Sequence, residues 1–254
     1  MLTVRDSMPA TAQSIVNENG ERIHPRTWNH EFIDLPEVKN QRQPIFTADV
    51  VETIVANAEG KERMLFVLLG ATGMRIGEAL GLEINKHFSS DFSTLRIRQK
   101  VWNGRIQLFL KTKNGARDID LHPSVAAMLG RFIGDRTSGL LFRSKNGTPL
   151  LQSNILRGSL HPLLVKANQE KSGAHAFRRF RITWLRRQNA PENLIRFWLG
   201  HENGGITDRY SKLKDDVALR KKVAKRVGIG FELPVEKLEV APKCTQSAVL
   251  SAVA

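Results

Sequence analysis

Residues 93–121 read STLRIRQKVWNGRIQLFLKTKNGARDIDL, and the period of this stretch decides the fold. Leu95, Ile97 and Gln99 alternate with Arg96 and Arg98, so one set faces a core and the other faces solvent. Gly104 and Asn114-Gly115 are hairpin signals, and the spacing predicts antiparallel strands at 94–102, 105–112 and 116–121. On both sides the period turns helical. Upstream, Thr47 is a good N-cap for a helix carrying Val50, Val51, Ile54 and Val55. A second apolar helix spans 61–72, Gly73 ends it, and Arg75 to Leu82 forms a short third. Downstream, helices are predicted at 123–136, with Pro123 in the first turn, and at 153–168, 175–188, 191–198 and about 212–227. The expected fold is mainly α with a small antiparallel β-sheet (α+β).

The rest of the chain bounds the function. It has 254 residues, 41% of them apolar, enough for a real core. One cysteine, Cys244, excludes an intramolecular disulfide and any multi-cysteine zinc site. No apolar run approaches the ~18 residues of a membrane span, and no signal peptide opens the chain, so the expectation is a cytoplasmic protein without a membrane partner. The formal charge is +14, and it is uneven. Residues 101–170 carry +6 and 171–230 carry +10, while 1–44, 45–100 and 231–254 carry −1, 0 and −1. A basic field confined in this way favours a polyanion, of which nucleic acid is the commonest. Neither HExxH, a P-loop nor GxGxxG occurs, and the basic region lacks the clustered acids of a metal-dependent nuclease, so no metal or cofactor is expected.

Three short segments carry chemistry. In Ala71-Thr72-Gly73-Met74-Arg75-Ile76-Gly77-Glu78, an arginine follows a glycine break at a helix start. It either meets an anion or is absorbed in capping and pairing with Glu78. In His175-Ala176-Phe177-Arg178-Arg179, His175 and Arg178 share one helix face and can address one anion. The third segment is Leu199-Gly200-His201, followed nine residues later by Tyr210, the single tyrosine of the chain. Phe177, Phe180, Trp184, Leu185 and Trp198 recur at helical spacing and read as core. Arg179, Arg181, Arg186 and Arg187 read as phosphate-holding or solvated, and Glu78 as a support for Arg75.

Taken together, Arg, then His-x-x-Arg, then Leu-Gly-His, then Tyr, in this order, resembles the catalytic domain of the tyrosine recombinases, the phage integrase family. The resemblance covers roughly residues 45–227. It implies a site-specific recombinase or integrase of a phage or other mobile element, acting through a 3′-phosphotyrosine intermediate. The implied catalytic residues are Arg75, Lys113, His175, Arg178, His201 and the nucleophile Tyr210. Lys113 is the better match for the family's hairpin lysine, with Lys111 the alternative. In that reading Arg75 and Arg178 clamp the phosphodiester, His175 is the base, His201 a hydrogen-bonding partner and Lys113 the general acid. The implied partners are double-stranded DNA, a homo-tetramer on paired sites, and accessory DNA-bending proteins. Two departures stand out: Asp120 where the family often has proline, and Asn189 for a frequent glycine, a position asparagine tolerates in the left-handed conformation.

The expected domains are an N-terminal segment at 1–44 resembling the end of a core-binding domain plus linker, the catalytic domain at 45–227, and a tail at 228–254. A short N-terminal part implies weaker, less specific and strongly salt-dependent DNA binding. A non-catalytic DNA-binding remnant and a type IB topoisomerase-like relaxing enzyme are the alternative readings.

Overall fold

The computed structural model describes residues 18–19, 43–108, 115–201 and 215–234. The chain divides into two units, Met1–Arg42 and Gln43–Ala254. In the first, the described pair Glu18 and Asn19 forms a turn. Everything below concerns the second. Most of the 1–44 segment, the residues from 235 onward, Lys111, Lys113, Asn114 and Tyr210 lie outside the described residues.

The second unit is built around α2 (Gly60–Thr72), in which every residue from Arg63 to Thr72 is buried. A helix that is apolar on all sides must sit in the middle of the fold. Accordingly α1 (Ala48–Asn57), α3 (Ile76–Leu80), α5 (Pro123–Ile133) and α8 (His175–Arg187) all pack on it. Thr47 caps α1, its side chain accepting from the Val50 N–H at 3.4 Å. The one buried charge of α2, Arg63, is met locally by backbone acceptors. Arg63 Nε donates to the carbonyls of Ala58 (2.7 Å) and Val55 (3.2 Å), which the end of α1 leaves unpaired. A short α4 (Ile84–His87), not legible in the sequence, follows α3.

The strand-period stretch alternates as expected, with Leu95, Ile97 and Gln99 buried and Arg96 and Arg98 exposed. The single strand expected at 94–102 is instead two, β1 (Thr94–Ile97) and β2 (Lys100–Trp102). Side chains between them explain the break. Gln99 Nε2 turns inward to the Gly81 carbonyl and to Glu83 Oε1, both at 2.7 Å, while Arg98 reaches the Arg117 carbonyl at 2.9 Å. β2 then forms a hairpin with β3 (Arg105–Gln107), and β1 pairs antiparallel with β4 (Arg117–Asp120), Leu95 opposite Ile119. The β2–β3 turn is Asn103-Gly104, with φ of 48° and 73°, the two positive values a type I′ turn needs.

The helix expected at 153–168 is α6 (Gln152–Ile155) and α7 (His161–Lys166) with a π-helical turn, Leu156–Leu160, between them. Pro162 has no N–H to give the Gly158 carbonyl, and the wider turn accommodates that missing bond. Two residues past the end of α8, Asn189 has a φ of 50°, which bears out the left-handed reading. α9 (Glu192–Leu199) stops at Gly200 in the left-handed region. α10 (Val217–Val227) begins after Asp216, whose carboxylate accepts from the Leu219 N–H at 2.8 Å. Phe177, Phe180, Leu185 and Trp198 are core, as expected. Trp184 is half-buried, and its Nε1 donates to the Val227 carbonyl at 2.8 Å. No helix among the described residues is long and apolar enough to cross a membrane.

Candidate active site

Gly73 begins the site. It closes α2 with φ 68°, and a Cβ there would lie 2.9 Å from Leu199 Cδ2. The chain therefore turns tightly beneath α9 and sets Arg75 at the start of α3. Glu78, in the first turn of α3, accepts from the Arg75 N–H and from Arg75 Nη1, both at 2.9 Å. α3 itself lies close against β2: a Cβ at Gly77 would come within 2.8 Å of the Val101 carbonyl oxygen. Glycine is what allows that approach.

From β4, Arg117 reaches the same carboxylate. Its Nη2 meets Glu78 Oε2 at 2.8 Å and its Nη1 meets Oε1 at 3.2 Å. Arg117 Nε also donates to the Trp198 carbonyl at 2.6 Å. Burial alone would raise the Glu78 carboxyl, but the hydrogen bonds and charges of Arg117 and Arg75 outweigh it and hold the group below its ordinary value. Glu78 thus supports Arg75, and it is shared with a second arginine. The pairing with Glu78 leaves about a third of the Arg75 side chain exposed.

His175 opens α8, and Arg178 lies one turn on. Arg178 is buried and oriented by three acceptors: the Gly73 carbonyl to Nη1 at 2.9 Å, the Leu199 carbonyl to Nη2 at 2.6 Å, and His201 Nε2 to Nη2 at 2.8 Å. A guanidinium only donates, so His201 Nε2 is the acceptor and its ring proton sits on Nδ1. Burial, reinforced by repulsion from Arg75 and Arg117, pushes Arg178 down to about 10. The same neighbours act on the imidazoles. Partial burial first, then Arg178, Arg179 and Arg75, lowers His175; partial burial, then Arg178, Arg75 and Arg117, lowers His201. Both rings are neutral at pH 7. Arg75, His175, Arg178 and His201 therefore come together from three separate segments, around a carboxylate already occupied by two arginines. Such a cluster can bind an anion tightly and exchange protons with it.

Lys113, Lys111 and Tyr210 lie outside the described residues, which run to Leu108 and resume at Gly115 on one side and stop at His201 and resume at Asp215 on the other. Arg117 was not singled out in the sequence; the available signal was its place on a strand beside the Asn-Gly turn. Arg181 must be corrected. It neither solvates the helix nor faces outward, but is buried, donating to the carbonyls of Gly228 (2.8 Å) and Ile229 (3.3 Å). Arg179 donates to the Pro44 carbonyl at 3.1 Å, Arg186 pairs with Glu192 at 3.0 Å, and Arg187 is exposed.

Acid should loosen this fold through its imidazoles. His87, His122, His175 and His201 are all lowered, burial being the largest cause in each. The unfolded chain takes up protons near pH ~6.5 that the folded chain resists, so stability is full above that value and falls below it. Thermal unfolding should show a lower midpoint at pH 5.5 than at pH 7.5, a window above the range where the carboxylates titrate. An equal or higher midpoint at pH 5.5 would contradict this.

The model of the phage integrase family matches residues 44–216. Tyrosine recombinase XerH of Campylobacter jejuni is 27% identical over 201 residues, covering 78% of this chain; the chain spans 52% of that relative's length. Among solved structures, the integrase of transposon Tn1549 in complex with circular intermediate DNA aligns with a TM-score of 0.54 at 22% identity, over 66% of this chain and 62% of that one. The integrase from mycobacterium phage Brujita gives a TM-score of 0.54 at 18% identity, over 78% and 61%. At these identities the structural likeness is one of fold.

Proposed function

The chain belongs to the phage integrase family, and on that premise we propose that it breaks and rejoins double-stranded DNA through a 3′-phosphotyrosine on Tyr210. The observation that carries this reading is the meeting of Arg75, His175, Arg178 and His201, with Glu78 committed to Arg75 and Arg117. A phosphodiester repels nucleophiles, so its charge must first be neutralised. Arg75 and Arg178 do this through planar, permanently charged forks on the nonbridging oxygens. His201 adds a hydrogen bond as charge shifts in the transition state. Neutral His175 takes the proton of the Tyr210 hydroxyl as its oxygen attacks phosphorus. The bond to the 5′-oxygen breaks, and that oxygen leaves with a proton from Lys113, or from Lys111 as the alternative. The phosphotyrosine retains the energy of the broken bond, so a 5′-hydroxyl from another strand reverses the step. The chemistry as written consumes no ATP and routes no step through a metal.

In this reading residues 1–44 are an N-terminal segment and linker, 45–227 the catalytic domain and 228–254 a tail, and strand exchange takes place in a homo-tetramer on paired sites of a mobile element. The excess charge of residues 101–230 supports DNA as the partner. The test is a nicked suicide substrate, in which the cleaved 5′ end diffuses away. The expected result is a covalent protein–DNA adduct, isolated on the peptide containing Tyr210, with DNA affinity that falls steeply as salt rises. An adduct on any other residue, or none on DNA of any sequence, would overturn the proposal.

A further inference from the structure

One buried carboxylate lies outside the site yet is tied to both ends of the segment that supplies His201 and Tyr210. Asp120 ends β4, and its side chain is fully buried. Oδ2 accepts from Trp198 Nε1 and from Arg220 Nε, each at 2.9 Å, and Oδ1 accepts from Arg220 Nη2 at 3.4 Å. Trp198 is on α9, three residues before His201. Arg220 is on α10, ten residues after Tyr210. The same strand holds Trp198 a second time, through Arg117 Nε and the Trp198 carbonyl. Arg220 is steadied further, its guanidinium carbon lying 5.0 Å from the centre of the Phe197 ring.

A buried ion pair is a poor source of net stability, because desolvation offsets most of its attraction and an apolar pair of similar volume does as well. What it adds is direction. Packing alone lets a helix roll or slide by a fraction of a turn, whereas three donors on one carboxylate set α9 and α10 at a single mutual orientation. Asp120 stands where the resemblance leads one to expect proline, and a proline side chain has no acceptor with which to do this.

We propose that Asp120 is a positioning residue for the strand-breaking step, acting through Trp198 and Arg220 to fix where the segment bearing His201 and Tyr210 leaves α9 and enters α10. This rests on the reading of Tyr210 as nucleophile. The group does not touch DNA, so its loss should slow the chemical step and leave DNA binding intact.

The test uses the full chain with the paired change Asp120→Leu and Arg220→Met, which replaces the ion pair by apolar groups and leaves neither charge unpaired. The expected result is an unfolding midpoint within a few degrees of wild type and unchanged affinity for the suicide substrate. The adduct should form ~10²-fold more slowly at saturating DNA, the scale of a small misplacement of reacting groups. Trypsin should also cleave faster after Arg209, Lys212 or Lys214. Wild-type rates of both adduct formation and trypsin cleavage, at a retained midpoint, would overturn the proposal. If the double variant does not fold, Asp120→Asn carries the same comparison, since it keeps the shape and one acceptor oxygen. If wild type forms no adduct on Tyr210, the functional reading fails by itself, and the trypsin comparison still decides whether Asp120 holds the segment.

Discussion

Tyr210→Phe is expected to abolish the covalent adduct while leaving DNA affinity within about twofold of wild type. The substitution removes one oxygen, keeps the ring and changes no formal charge. It also leaves no substitute, because Tyr210 is the chain's single tyrosine. On the proposed mechanism the cationic cluster of Arg75 and Arg178 is untouched and still holds the phosphodiester, so binding should persist where chemistry does not. Loss of a nucleophile in a preorganised site typically costs at least ~10⁴-fold in rate, the remainder reflecting electrostatic stabilisation alone. In adduct assays at equal occupancy the variant should therefore give no band over times in which wild type reaches completion. A variant that still forms adduct would remove Tyr210 from the mechanism.

Glu78→Ala is expected to give the largest loss of stability. It leaves Arg117, with 1% of its side chain exposed, without its carboxylate and in the company of Arg75 and Arg178. Removing one partner of a buried ion pair typically costs about 3–5 kcal/mol. In a unit of this size that corresponds to a midpoint lowered by roughly 10 °C. Adduct formation should fall as well, since the Arg75 N–H and guanidinium lose the group that orients them. Glu78→Gln, which still accepts a hydrogen bond, should lose less. The sign with pH follows from the lowered carboxyl. Its contribution is present above the ordinary carboxylate value and is lost as pH falls through the folded value, so the gap in midpoint between wild type and Glu78→Gln should narrow in acid. A Glu78→Ala midpoint equal to wild type would show that the three-residue cluster contributes nothing.

Helices were legible where an apolar pattern meets a marked end: Thr47, Gly73 and Pro123 each stand at a boundary. The residues of the cluster were legible as types in order along the chain. What joins them was not. Arg117 meets Glu78 across 39 residues and Arg220 meets Asp120 across 100. Arg117 and Arg220 look like ordinary surface charges in their local sequence, and the partners that make their burial tolerable are set by tertiary packing. The same holds for Arg181, whose acceptors are backbone carbonyls that no side-chain pattern announces. The break of the long strand at Arg98 and Gln99 was hidden because the alternation continues through it while the hydrogen bonds do not.

Arg178 lies beside the two arginines that share Glu78, and this crowding has a bearing on how a bound anion changes stability. Burial first, and then repulsion from Arg75 and Arg117, pushes Arg178 down to about 10, so these guanidiniums repel one another. An anion bound only by the folded state relieves this and adds stability by mass action, ~2.7 kcal/mol at a hundred times its dissociation constant. The unoccupied protein then opens more often than the occupied one and is the better protease substrate. Added polyanion is therefore expected to raise the unfolding midpoint and slow proteolysis.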